Sequence, residues 1–171
     1  GLKPKIHANQ LNISGGVQAG SNTNAISVDH LETIGKEEIQ LLSAANSPIA
    51  TLLPGCSFFL NMQYAPARQL IENNAAIALA SDYNPGSSPS GNMNFVVALT
   101  CIQLKMLPEE AINAATLNGA FAMELQNEVG SITKGKRANL IFTQPISSLS
   151  LLPYSFGTNL INKIMINGNF I

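Results

Sequence analysis

Four short apolar runs, at residues 5–8, 25–29, 49–53 and 76–81, alternate with stretches of helical spacing, and this alternation constrains the fold most. Near-continuous apolar runs of strand length belong to strands covered on both faces, the condition of parallel strands. Between them, residues 36–45 place Ile39, Leu41 and Leu42 in an amphipathic pattern, and residues 66–74 set Ala67, Leu70 and Ile71 on one side. After the fourth run, residues 92–105 predict a strongly apolar helix. "LPEEAINAATLNGAFAMEL" predicts another, with Pro108 in its first turn and Glu109 and Glu110 complementing the helix dipole. Four βα units in a row imply an α/β chain with a parallel sheet, either doubly wound or part of a (β/α)₈ barrel.

From Val129 the character changes. "VGSITKGKRANLIFTQP" and "INKIMINGNFI" are short β-rich stretches without helices between them, and Asn167-Gly168 reads as a hairpin turn. The chain therefore divides into residues 1–128, the βα units, and residues 129–171, a small antiparallel appendage. A net charge of −1 points to no nucleic-acid or anionic-membrane surface. No run approaches the roughly 18 apolar residues that span a bilayer. Cys56 and Cys101 fit neither a disulfide framework nor a zinc-finger spacing, so both are expected reduced, in the cytoplasm. The chain opens without Met and enters a strand within a few residues, so either trimming or a larger protein upstream is expected.

The polar residues fall at the ends of the runs. His7 ends the first, His30 the second and Asp82 the fourth, while the third continues into "LLPGCSFFL". In parallel α/β architectures the C-terminal strand ends form one rim, where active sites sit. Both histidines of the chain therefore meet a carboxylate on that rim. Imidazole with carboxylate suits a divalent metal such as zinc or iron(II), and a buried carboxylate is costly unless it is paired, hydrogen-bonded or bound to a metal. A lone strand-end His is more often a hydrogen-bonded structural residue, and an Asp can simply cap a turn, so spacing alone leaves both readings open. After Asp82, the loop offers Asn84, Gly86, Ser87 and Ser88 ahead of a helix start at Asn92. That is either an anion receptor or ordinary turn composition.

In this order, "KIHANQL", "AISVDHLE", "TLLPGCSFFL", "SDYNPGSSPSGNM", "LPEEAINAATLNGAFAMEL", "GSITKGKRANLIF" and "INKIMING" closely resemble the imidazolonepropionase family of the metal-dependent amidohydrolase superfamily. The resemblance runs nearly end to end. It implies the C-terminal half of a TIM-type (β/α)₈ amidohydrolase barrel, strands five to eight, followed by a small C-terminal β segment of the accessory β-sandwich domain. The implied reaction adds water to 4-imidazolone-5-propanoate and opens its ring at a carbon–nitrogen bond, giving N-formimino-L-glutamate in histidine degradation.

The resemblance implies one divalent metal, Zn²⁺ or Fe²⁺, with His7 and Asp82 as ligands. It makes Asp82 the proton carrier and His30 the residue that meets the ring oxygen. Gln10 matches a position that hydrogen-bonds the ring, and Asn84, Gly86 and Ser87 match the loop that holds the propanoate arm. A homo-oligomer is also expected. Asn9 stands where many members carry Asp, as does Asn139, so local structure is expected to differ there. The family's first-strand His-x-His pair has no counterpart in these residues, and the chain alone is expected to be inactive. Two alternatives stand beside this reading: a non-catalytic half-barrel that self-associates or binds a partner, and another cyclic amidohydrolase or deaminase, against which the Asn-Pro-Gly-Ser loop argues.

Overall fold

In the computed structural model, which describes residues 2–171, the first sheet is assembled in the order of the chain. Strands β1 (Lys5–Ala8), β2 (Ser27–His30), β3 (Ile49–Leu52) and β4 (Ile77–Leu79) lie side by side and pair in parallel. The crossovers carry helices α1 (Gly16–Asn22), α2 (Lys36–Leu42), α3 (Pro54–Phe59) and α4 (Ala67–Glu72). After β4 come α5 (Met93–Ile102), α6 (Pro108–Ala115) and α7 (Leu117–Phe121). A second, antiparallel sheet follows, made of β5 (Leu140–Thr143), β6 (Ile161–Ile166) and β7 (Asn169–Phe170), with the short helix α8 (Leu151–Tyr154) before β6. The β6–β7 hairpin turns at Asn167 (φ 49°) and Gly168 (φ 83°), two left-handed residues as a tight hairpin requires.

The pleat separates two faces. Ala8, Val28, Ala50 and Leu52 point toward the helices and are buried with Val17, Leu42 and Leu70 in one core. Burying each of those leucines contributes about 1.5–3 kcal/mol. On the opposite face, Lys5, Asp29 and Thr51 line an open cavity of about 740 Å³, bounded across from the strands by α7 and by residues such as Ile132 and Ile141. Helices α1, α2, α4, α5 and α6 thus contribute to the core on the first face, whereas on the second α7 borders the open cavity. Arg68 of α4 donates two hydrogen bonds, 2.9 and 3.0 Å, to Glu110 of α6, and these hold the Glu110 carboxyl below the usual carboxylate range.

The expected strands are all present, with β2 displaced by two residues at its start and one at its end, and β4 shorter at both ends. The continuous helix expected after Leu107 is instead two. Thr116 leaves helical geometry (φ −119°, ψ −81°), its hydroxyl donating back to the Ile112 carbonyl, and Asn118 then donates to the Ile77 carbonyl at 2.7 Å. Docking of Asn118 onto β4 redirects the helix. Gly130 (φ +90°) seals this break, because a Cβ there would sit 2.6 Å from the Ala120 Cβ and 3.0 Å from the Thr116 carbonyl. Gly130→Ala is therefore expected to cost about 2–4 kcal/mol, from left-handed strain plus overpacking. A fall in the urea unfolding midpoint at constant m-value checks this; an unchanged midpoint would contradict it.

Candidate functional site

The register of the parallel sheet sets the C-terminal strand ends level. Ala8 lies opposite His30, His7 opposite Asp29, and Leu52 opposite Leu79. By simple alternation the His30 side chain would follow Ala8 toward the helices. A left-handed backbone at His30 (φ 87°) and Leu31 (φ 69°) turns it instead to the side of His7. The two imidazoles meet edge to face with centroids 4.3 Å apart. Asp82 also leaves its strand in the left-handed region (φ 52°), and its Oδ2 lies 4.0 Å from His30 Nε2. Backbone strain of about 1–3 kcal/mol at a bulky residue such as His30 is the kind retained at functional sites.

Thus three strand-end residues expected on one rim do converge there. His30 is buried at 3% exposure, whereas His7 is exposed and the Asp82 side chain keeps 28% of its surface. Buried His30 therefore sits between an open histidine and a half-open carboxylate. Glu32 completes the group, and nothing in the sequence reading singled it out. Its Oε1 lies 3.3 Å from His30 Nδ1 and accepts the Ser57 hydroxyl at 3.0 Å. The available signal was the spacing His-Leu-Glu, two residues apart on the same strand exit.

Gln10 follows His7 around the turn at Asn9 (φ 56°) and donates to Cys56 Sγ at 3.4 Å. Burial pushes the Cys56 thiol up, a hydrogen bond with Ser87 opposes that, and the charges of Asp82 and Glu32 add to the rise. This buried thiol is the acceptor for Gln10, 46 residues away in sequence. Asn9 accepts from the Ser14 backbone and hydroxyl at 3.3 and 3.4 Å, while Asn139 accepts the Asn167 N–H at 2.8 Å and steadies the hairpin. Both contacts use Oδ1, an acceptor that Asp shares, and the Asn9 Nδ2 is buried without a partner.

The loop after Asp82 is closed upon itself. The Asn84 amide donates to the Asp82 carbonyl and to Ser87 Oγ at 2.7 and 2.8 Å, and its Oδ1 accepts from the Gly86 and Ser87 N–H groups at 2.9 and 2.7 Å. Ser88 is buried and donates to the Ser81 carbonyl, so its hydroxyl is engaged rather than offered to an anion. Asn84 organises this loop, its Oδ1 also accepting the Ser87 hydroxyl at 3.1 Å. The Asn92 side chain caps α5 by accepting the Phe95 N–H at 3.2 Å.

His7 and Asp82 have the donor chemistry of a zinc or iron(II) site. Catalytic zinc commonly takes three protein ligands, and among the described residues no three His, Cys, Asp or Glu side chains are grouped to hold a metal. The fit is to part of a ligand shell. No helix among the described residues is long and apolar enough to cross a membrane.

A model of the Amidohydrolase family matches residues 12–171. The chain is 59% identical, over its whole length, to the imidazolonepropionase of Flavobacterium johnsoniae, covering 41% of that protein. It is 41% identical to the imidazolonepropionase of Thermoanaerobacter pseudethanolicus, over 96% of the chain and 39% of the relative. The chain thus spans about two-fifths of the length of the curated relatives it matches. Among solved structures, an adenosine deaminase from Xanthomonas campestris with bound zinc superposes with a TM-score of 0.82 at 20% identity, over 99% of this chain and 45% of that one. Escherichia coli guanine deaminase gives 0.70 at 17% identity, over 85% and 38%. At such identities these two likenesses speak for the fold.

Proposed function

Since the chain belongs to the Amidohydrolase family, we propose that it is part of a hydrolase that opens the ring of 4-imidazolone-5-propanoate at a carbon–nitrogen bond, giving N-formimino-L-glutamate. The observation that carries the reading is the meeting of His30 and Asp82 across 4.0 Å, directly before the Asn84–Ser87 loop. The four parallel strands are read as strands five to eight of an eight-stranded barrel, with residues 129–171 as the small β segment of an accessory domain. Support for this comes from their in-order parallel pairing, the antiparallel character of β5–β7 and the open cavity on the sheet's uncovered face.

His7 and Asp82 would hold one divalent cation, zinc or iron(II), together with ligands from outside these residues. Such a cation makes hydroxide available from water near neutral pH. Asp82 stands where a carboxylate can take a proton from water and return it to the leaving ring nitrogen, and its partial exposure keeps it reachable from the rim. The His30 side chain, protonated at Nε2, donates to the oxygen on which negative charge develops. Gln10, whose amide N–H donates to Cys56 Sγ, hydrogen-bonds the ring.

The loop residues Asn84, Gly86 and Ser87 receive the propanoate arm. Their N–H and hydroxyl donors already converge on one oxygen, Asn84 Oδ1. Exchanging that neutral acceptor for a carboxylate strengthens each bond. The reading places the chain in a cytoplasmic homo-oligomer acting on this small molecule. The test is turnover: the full-length protein, loaded with zinc or iron(II), is expected to consume imidazolonepropanoate and release formiminoglutamate. Turnover of a purine or another cyclic substrate in its place would replace this reading with the deaminase alternative.

A further inference from the structure

One buried acid has no part in the reaction as described, and it is the one in contact with His30. Glu32 is only 4% exposed and lies at the opposite nitrogen of the imidazole from Asp82. Its Oε1 lies 3.3 Å from His30 Nδ1 and accepts from Ser57, while its Oε2 is buried with no partner. We propose that Glu32 is a positioning residue: its carboxylate holds the Nδ1–H of His30 and so fixes which ring nitrogen, Nε2, faces Asp82 and the reacting ring. The proposal rests on the catalytic reading of His30 given above.

An ionised carboxylate only accepts, so the proton of the contact sits on Nδ1. With that edge of the ring engaged, Nε2 is the nitrogen left facing Asp82 and the reacting ring. In the protonated ring Nε2–H points toward Asp82 while Nδ1–H remains on Glu32. A ring free to flip would present either nitrogen.

A merely structural role explains the placement less well. A buried carboxylate with one oxygen unpartnered is costly, and an apolar side chain of similar size would serve packing better. The backbone is also bent to make the contact. His30 and Leu31 are both left-handed, and this turn carries the chain back so that Glu32 lies beneath the imidazole. The turn is pinned from both sides: Leu31 N–H donates to the Ala8 carbonyl at 3.2 Å, Thr33 N–H to the Asn9 carbonyl at 2.9 Å, and Gln63 Nε2 to the Glu32 carbonyl at 2.8 Å. Ser57, itself buried, reaches in from α3 to hold the carboxylate.

The experiment compares wild type, Glu32→Gln and Ser57→Ala in the full-length protein. Two readouts are taken: steady-state kinetics, and the nitrogen-15 imidazole signals that report the His30 tautomer, assigned by their loss in His30→Asn. Glu32→Gln is expected to lower kcat roughly 10- to 100-fold with KM within about twofold, and to shift the nitrogen-15 signals of a ring no longer held at Nδ1. Ser57→Ala keeps the acid and removes one of its two contacts, so a smaller loss in kcat of the same kind is expected. Unchanged nitrogen-15 signals and kcat in Glu32→Gln overturn the proposal; should that variant fail to fold, the same null result in Ser57→Ala overturns it. If wild type does not turn over imidazolonepropanoate, the substrate reading fails while the nitrogen-15 comparison still decides the role of Glu32.

Discussion

Asp82→Asn in the full-length protein is expected to lower kcat by about 10³-fold or more while moving KM only a few-fold. The substitution is close to isosteric, and the left-handed backbone at position 82 (φ 52°) suits Asn as well as Asp, so the loop from Asn84 to Ser88 should keep its shape. The amide oxygen still accepts a hydrogen bond. What disappears is a group that takes a proton at one moment and gives it back at the next. Because Asp82 is also read as a ligand, metal content has to be measured on the same samples. Near-normal turnover at full metal content would remove Asp82 from the chemistry, and a loss that tracks missing metal would assign it to ligation alone.

The second large effect concerns the 171 residues by themselves. They are expected to show no turnover above background with added zinc or iron(II), and to associate into dimers or larger species at micromolar concentration. The first expectation follows from the ligand shell, to which His7 and Asp82 contribute only two groups. The second follows from the sheet. In the order β1-β2-β3-β4, one side of β1 and one side of β4 have no neighbour, and unpaired strand edges invite pairing. The uncovered face beside them borders a cavity of about 740 Å³ lined in part by the exposed Ile132, and Phe58 and Phe59 are exposed elsewhere on the surface. Closing two such sheets against each other buries edges and cavity in the symmetric manner usual for homodimers. Light scattering coupled to size exclusion, and a turnover assay on the same fractions, check both statements. A monodisperse monomer contradicts the second, and appreciable turnover contradicts the first.

The strands were legible because their signal is local: short apolar runs, with turn residues such as Asn24, Asn74 and Asn84 near their ends. The rim residues were legible for the same reason, since a parallel sheet converts a position at the end of a run into a position in space. Three of the short helices were not, although α2 and α4 were. Helix α1 has Gly at its first and fifth positions, α3 opens with Pro-Gly, which reads as a turn, and α8 contains Pro153. Each forms because packing against a neighbour outweighs weak propensity. The break at Thr116 was hidden for a related reason, as it depends on Asn118 reaching the carbonyl of Ile77, 41 residues away.

Glu32 was invisible for a different cause. Its contact with His30 requires two consecutive left-handed residues, neither of them Gly or Asn, and nothing in "VDHLET" announces a backbone that such side chains disfavour. The loop was half legible. Its Asn, Gly and Ser were recognisable as donors, yet Asn84 turned out to hold the others, because an Asn side chain two or three residues before free N–H groups captures them first.

Strand order has a consequence for how such a chain is made. Because β1 to β4 neighbour one another in the order in which they are synthesised, each new βα unit emerging from the ribosome meets a partner already present. No strand has to wait for a later one to be inserted between it and its predecessor, and the loops to be closed are single crossovers, which keeps the search short. The β5–β6–β7 sheet obeys the same rule, its strands also pairing in sequence. Nascent-chain growth and sheet growth therefore run in step.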